Sequence, residues 1–195
     1  MSLNSEPTKK EEVACNFVGD FKVGDNLVFN SRMLCSLVDA NTEGVFNKLI
    51  VIQAGAIVEA ALSQIIYRAQ NFNREGVPNI SEADRKAIEG KKIDKLNSVI
   101  DVMKKYKVLD DLGATIYDEL HKLRKYRNKI HIQEAVGIDG VPADEADAFS
   151  GSICTWALKL NGQVLKYLSE HLARPKNLHH YVHSLEIRLV ENKQT

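Results

Sequence analysis

Histidine, arginine and asparagine recur within a short stretch of this 195-residue chain, at His121, Arg124, Arg127, Asn128 and His131. Steps of three and four residues place such groups on neighbouring strips of one helical face. Together they could handle a phosphodiester. A guanidinium offers phosphate oxygens a rigid, permanently charged fork of donors. A histidine titrates near neutrality and can pass a proton to or from a ribose hydroxyl or a leaving oxygen, while the asparagine amide orients either partner. These groups require no metal ion and no cofactor. The same residues also admit a structural use, in which Arg127 pairs with Glu59 or a carbonyl and His131 complements the negative end of its helix. Residue types alone leave both uses open.

The helix that would carry them follows a break at Val108–Leu112 and runs to about His131 or Ile132. Its apolar stripe is Ile116, Leu120, Leu123 and Ile130, and Arg127 stands where that stripe expects another apolar side chain. Arg127 is therefore expected to face a core or an interface. A second helix, over about 43–73, carries Leu49, Ile50, Ile57, Val58, Leu62 and Ile65 around most of its circumference. It needs cover on nearly all sides, from its own bundle or from a second subunit. Glu59 is the one carboxylate in its apolar run, and burying it alone is costly, so a cation or a wet edge is expected beside it.

The remaining elements are read from caps and breakers. Asp25 is expected to cap a helix reaching about Ala40, and Asn41–Thr42 to open the second helix. Ser81 with Asp84 predicts a short helix that Gly90 ends. Residues 91–106 predict a lysine-rich amphipathic helix, and 134–141 a loop. Pro142 predicts the start of a last long helix, with Asp144, Glu145 and Asp147 at its positive end and Arg174–Pro175 closing it. Leu185, Ile187 and Leu189 alternate as in a strand, for which Phe17–Val23 or another subunit would be the partner. The expected organisation is a disordered lead at 1–16, one helical domain at 17–173 and a tail at 174–195.

Composition narrows the function classes. The 26 Lys+Arg balance 26 Asp+Glu, which excludes a globally basic coat for nucleic acid. Locally the charge is uneven: residues 91–129 hold eleven basic and six acidic residues, and 133–170 hold two and six. The basic part leads into the arginine–histidine segment, although Lys91, Lys92, Lys104 and Lys105 are simply read as a solvated helix surface. Cys15, Cys35 and Cys154 are odd in number and widely spaced, which speaks against a disulfide framework and for a reducing cytoplasm. The run Leu49–Leu62 is short for a bilayer and interrupted by Gln53 and Glu59, so no membrane span is expected.

The segment from Leu123 through Arg124, Tyr126, Arg127, Asn128 and Ile130 to His131, late in an all-helical chain, resembles the signature of the HEPN superfamily. The apolar stretch Ala54–Leu62 is similar to the early helix of many HEPN domains, and the likeness spans about residues 43–170. The expected fold is an all-α bundle of five to six helices with a short strand near each terminus, and the resemblance implies an up-and-down arrangement that dimerises with its motif helices facing across a cleft. It implies RNA binding and, in many members, metal-independent endoribonuclease activity in defence or toxin–antitoxin systems, with an antitoxin-like protein partner. Other members are non-catalytic interaction modules. Carried over by position, Arg127 would bind the scissile phosphate, Asn128 would orient it and His131 would act in catalysis. Arg124 and His121 would contact the substrate, and Glu59 would support Arg127. The family pattern places four to six residues between arginine and histidine; three separate Arg127 from His131, and six separate Arg124 from it. Taking Arg124 instead puts Lys125, not a small polar residue, directly after the arginine.

Weaker signals are read structurally. His179, His180 and His183 contain a zinc-like spacing but belong to a segment expected to be loop and strand. Gly90 with Lys91 and Lys92 lacks the upstream glycine of a phosphate loop. Asp110 and Asp111 diverge on a helix, Cys35 and Cys154 pack as small hydrophobes, and Phe149 and Trp156 belong to the core. A nucleotide-binding helical domain is a third, weaker reading of the chain.

Overall fold

In the computed structural model the residues described are 8–72, 75–130, 138–178 and 183–190. They fold as a helical bundle closed by a two-stranded sheet. The order is β1 (Thr8–Ala14), α1 (Phe21–Ala40), α2 (Asn47–Asn71), α3 (Glu82–Ile88), α4 (Leu96–Lys105), α5 (Ile116–Asn128), α6 (Glu145–Ala148), α7 (Gly151–His171) and β2 (Ser184–Val190).

Helix α2 is the axis of the bundle, because an all-round apolar surface has to be enclosed. It packs against α1, α7, α5, α4 and α3. Ile50, Val51, Ala54, Val58, Ala61, Leu62 and Ile65 are wholly buried. The chain's own helices thus supply the cover for which a second subunit was one expected source. By length and composition α2 as a whole could cross a bilayer, unlike the shorter run Leu49–Leu62 counted above, but most of its apolar window is buried within the protein. A core helix meets the same criterion. Helix α2 also begins later than expected. The Asn41 side chain accepts from the Phe46 N–H and donates to Asn47 Oδ1, and Gly44 adopts φ +79°, so the turn extends to Phe46.

Other boundaries shift for equally local reasons. Asp20, not Asp25, caps α1, accepting from the N–H groups of Lys22 and Val23. Phe17–Val23 is therefore a turn and a helix start rather than an extended partner strand. Ser81 caps α3 as predicted. Gly90 takes φ +72°, and the Gln70 amide donates to the carbonyls of Ile88 and Lys91, which holds Lys91–Lys95 out of helix and starts α4 at Leu96. The last long helix is split: Asp144 caps the short α6, and extended backbone at Ser150 restarts the chain as α7.

The lead expected to be disordered instead contributes β1, antiparallel to β2 in a register that pairs Val13 with Leu185 and Glu11 with Ile187. Val13, Leu185 and Ile187 are buried. Strand β2 packs on both α1 and α7. Gly162 permits the α7 contact, since a Cβ there would lie 2.8 Å from Leu189 Cδ2.

Candidate functional site on α5

Helix α5 buries Ile116, Leu120 and Leu123 as the stripe requires, while Ile130, counted with that stripe above, lies past the helix end and is exposed. Arg127 occupies the stripe and meets α2. Its guanidinium forms an ion pair with Glu59, and the two side chains are 27% and 28% exposed, so the pair sits at a wet edge. The structural use of Arg127 is the one realised in this conformation. Its Nε is buried without a hydrogen-bond partner among the described residues. The helices approach closely here because position 55 is glycine: a Cβ on Gly55 would lie 2.9 Å from Arg127 Cβ. Sequence reasoning missed the role of Gly55, although a glycine interrupting an apolar helix is the usual sign of a close backbone approach.

Arg124 behaves differently. It is half-buried, takes part in none of the ion pairs among the described residues, and its Nε is likewise buried and unpartnered. It sits one helical turn from His121, whose Nε2 lies 3.6 Å from Asp101 Oδ1 on α4. Burial pushes the His121 imidazole below its usual range; Asp101 opposes this, and Arg124 and Lys104 reinforce it. His121 is therefore neutral at pH 7, able to donate or accept a hydrogen bond but bringing no charge. Asn128 is half-buried at the end of α5. His131, the expected catalytic histidine, lies outside the described residues.

The lysines of α5 serve its surroundings. The Lys122 ammonium stands 4.4 Å from the Trp156 ring centroid, over the aromatic group formed by Tyr126, Phe149 and Trp156. Lys125 donates to the Asp139 carbonyl at 2.8 Å and Lys129 to that of Ala143 at 2.9 Å, which ties the chain after residue 138 to the end of α5. These contacts leave Arg124 as the cation of α5 that has, among the described residues, neither a carboxylate or carbonyl partner nor an aromatic ring beneath it. Among the described residues no group of histidine, cysteine and carboxylate side chains is placed to hold a metal ion. Of the histidine-rich tail, His179 and His180 lie outside the described residues, and His183 precedes β2.

No protein-family model, no curated protein and no solved structure matches this chain. The chemistry of the site thus rests on its own residues.

Proposed function

We propose that this chain is a HEPN-like RNA-binding bundle that receives the phosphate backbone on the C-terminal half of α5. The observation that carries this reading is Arg124: a half-buried guanidinium without a described counter-charge, beside neutral His121 and Asn128. Such a group is desolvated in part and gains most when a phosphate supplies the missing acceptors. In this reading Arg124 is the family arginine, separated from His131 by six residues, and cleavage by proton transfer at His131 would leave a cyclic phosphate. The three cysteines are all unpaired, which supports a reducing cytoplasm as its location.

The Arg127–Glu59 ion pair favours a second reading. A motif arginine already neutralised by a carboxylate suits a non-catalytic homodimeric interaction module. Phe29 and Met33 of α1, with Val45 in the turn before α2 and Leu49 in its first turn, stand exposed and would form its contact surface with a second copy or an antitoxin-like protein.

The test is incubation of the full chain with mixed-sequence single-stranded RNA, with and without EDTA, beside Arg124→Ala and His131→Ala. Cleavage that survives EDTA and disappears in His131→Ala identifies a metal-independent endoribonuclease. Binding that Arg124→Ala weakens, without cleavage, identifies an RNA-binding module. Folded protein that neither binds nor cuts RNA overturns the leading reading in favour of the interaction module.

A further inference from the structure

A cavity of about 360 Å³ opens where β1 turns into α1 and shares no lining residue with the α5 cluster. Val18, Phe21 and Val28 form apolar walls, and Asp25 and His183 bring the polar groups. Gly24 lines it as well, and a side chain there would occupy the space, its Cβ lying 3.3 Å from Val18 Cγ2. The volume falls at the lower end of ordinary small-molecule sites, about 300–1,000 Å³.

Two features of the lining point to a ligand. Phe21 is 54% exposed, a large aromatic surface left to water at the cavity. Asp25 takes no part in the ion pairs or side-chain hydrogen bonds of the described residues, and its helix is capped instead by Asp20. His183 is held beside the cavity by its carbonyl, which accepts from the Cys15 N–H at 3.0 Å, so its imidazole is not consumed by the sheet. An apolar recess with an exposed carboxylate that has no partner among the described residues selects a ligand with an apolar body and a cationic head. An aromatic wall suits the same ligand, through ring stacking or a cation over the ring face.

We propose that this cavity binds a small organic amine: one aromatic or branched apolar group seated against Val18, Phe21 and Val28, with its ammonium on Asp25 and His183 available to a further polar substituent. The site is independent of RNA binding at α5.

Phenethylamine is the probe, titrated into the full chain and followed by amide NMR shifts and calorimetry, with phenylacetate as a control of equal size and opposite charge. Saturable phenethylamine binding is expected, with perturbed amides confined to the β1–α1 turn, the first half of α1 and the start of β2. Asp25→Asn, at an exposed position, should fold normally and weaken binding about tenfold. Val28→Phe should fill the recess and abolish it. Phenylacetate should bind much more weakly. Absence of saturable binding to the folded wild type overturns the proposal, as does equal affinity for phenylacetate or an unchanged affinity in Asp25→Asn. If Val28→Phe does not fold, Asp25→Asn decides.

Discussion

Gly55 of α2 and Arg127 of α5 meet at the base of the arginine side chain, where a Cβ on residue 55 would lie 2.9 Å from Arg127 Cβ and 3.1 Å from Cγ. The atoms in the way belong to the stem next to the backbone, not to a flexible tip, so the helices themselves would have to part. Gly55→Ala gains about 1 kcal/mol of helix propensity but incurs an overpacking cost of about 1–3 kcal/mol. A net loss of about 1 kcal/mol is expected in urea unfolding. Gly151→Ala, in open space at the first turn of α7, should not destabilise the protein. Equal behaviour of the two variants would mean that the helix contact has slack.

Glu59 occupies the Arg127 guanidinium with its carboxylate. In the RNA-binding reading, Glu59→Gln frees a second guanidinium beside Arg124. RNA affinity should rise by about two- to tenfold, and the salt dependence should steepen by about 0.7 in log–log slope for one more phosphate on a single strand. Glu59→Gln combined with Arg127→Ala should return the slope to the wild-type value. A rise in affinity without a change of slope would reflect only the loss of a repulsive charge.

His121 has a depressed pKa in the folded protein, so the unfolded chain binds its proton more readily. Its contribution to stability is therefore present above the ordinary value of 6.5 and is lost as pH falls below it. The melting temperature of His121→Gln should vary less than that of wild type between pH 7.5 and 5, those limits spanning about one unit or more on either side. Parallel curves would show that Asp101 compensates the burial in full.

Glu75 and Arg174 form a bidentate pair at 2.6 and 2.9 Å, with both side chains less than a tenth exposed. Arg68, itself buried, stands close by and donates to the carbonyls of Phe17 and Leu172. The Arg174 hydrogen bond holds the Glu75 carboxyl below its usual range. Glu75→Gln leaves two buried guanidinium groups without that charge and should cost about 3–5 kcal/mol in denaturant unfolding. In wild type the same pair makes stability fall as pH drops below 4.5 and through the depressed value.

What could be read in the sequence was whatever announced itself locally. Ser81 with Asp84 marked the start of α3, and the continuous apolar surface of residues 49–66 marked the central helix, because caps and periodicity are set within a few residues. Strand β1 gave no such sign. Its residues Lys9, Lys10, Glu11 and Glu12 are polar in succession, and only Val13 is buried, so a strand covered on one face at one end has no alternation to detect. Its partner lies at the far end of the chain. The Arg127–Glu59 pair was foreseeable as a chemical need of Glu59, whereas the lack of a partner for Arg124 among the described residues depends on what other elements bring near it and could be seen only in the fold.

Strand β1 pairs with residues that follow it by about 170 positions. At synthesis rates of about 5–20 residues per second it waits roughly ten seconds or more for β2 to be made. Throughout that interval an unpaired strand is a template for the wrong partner. Consecutive lysines and glutamates keep β1 hydrated and unattractive to other nascent chains until Leu185 and Ile187 arrive. The polarity that conceals β1 from pattern reading is thus also what protects its exposed edge before its partner is made.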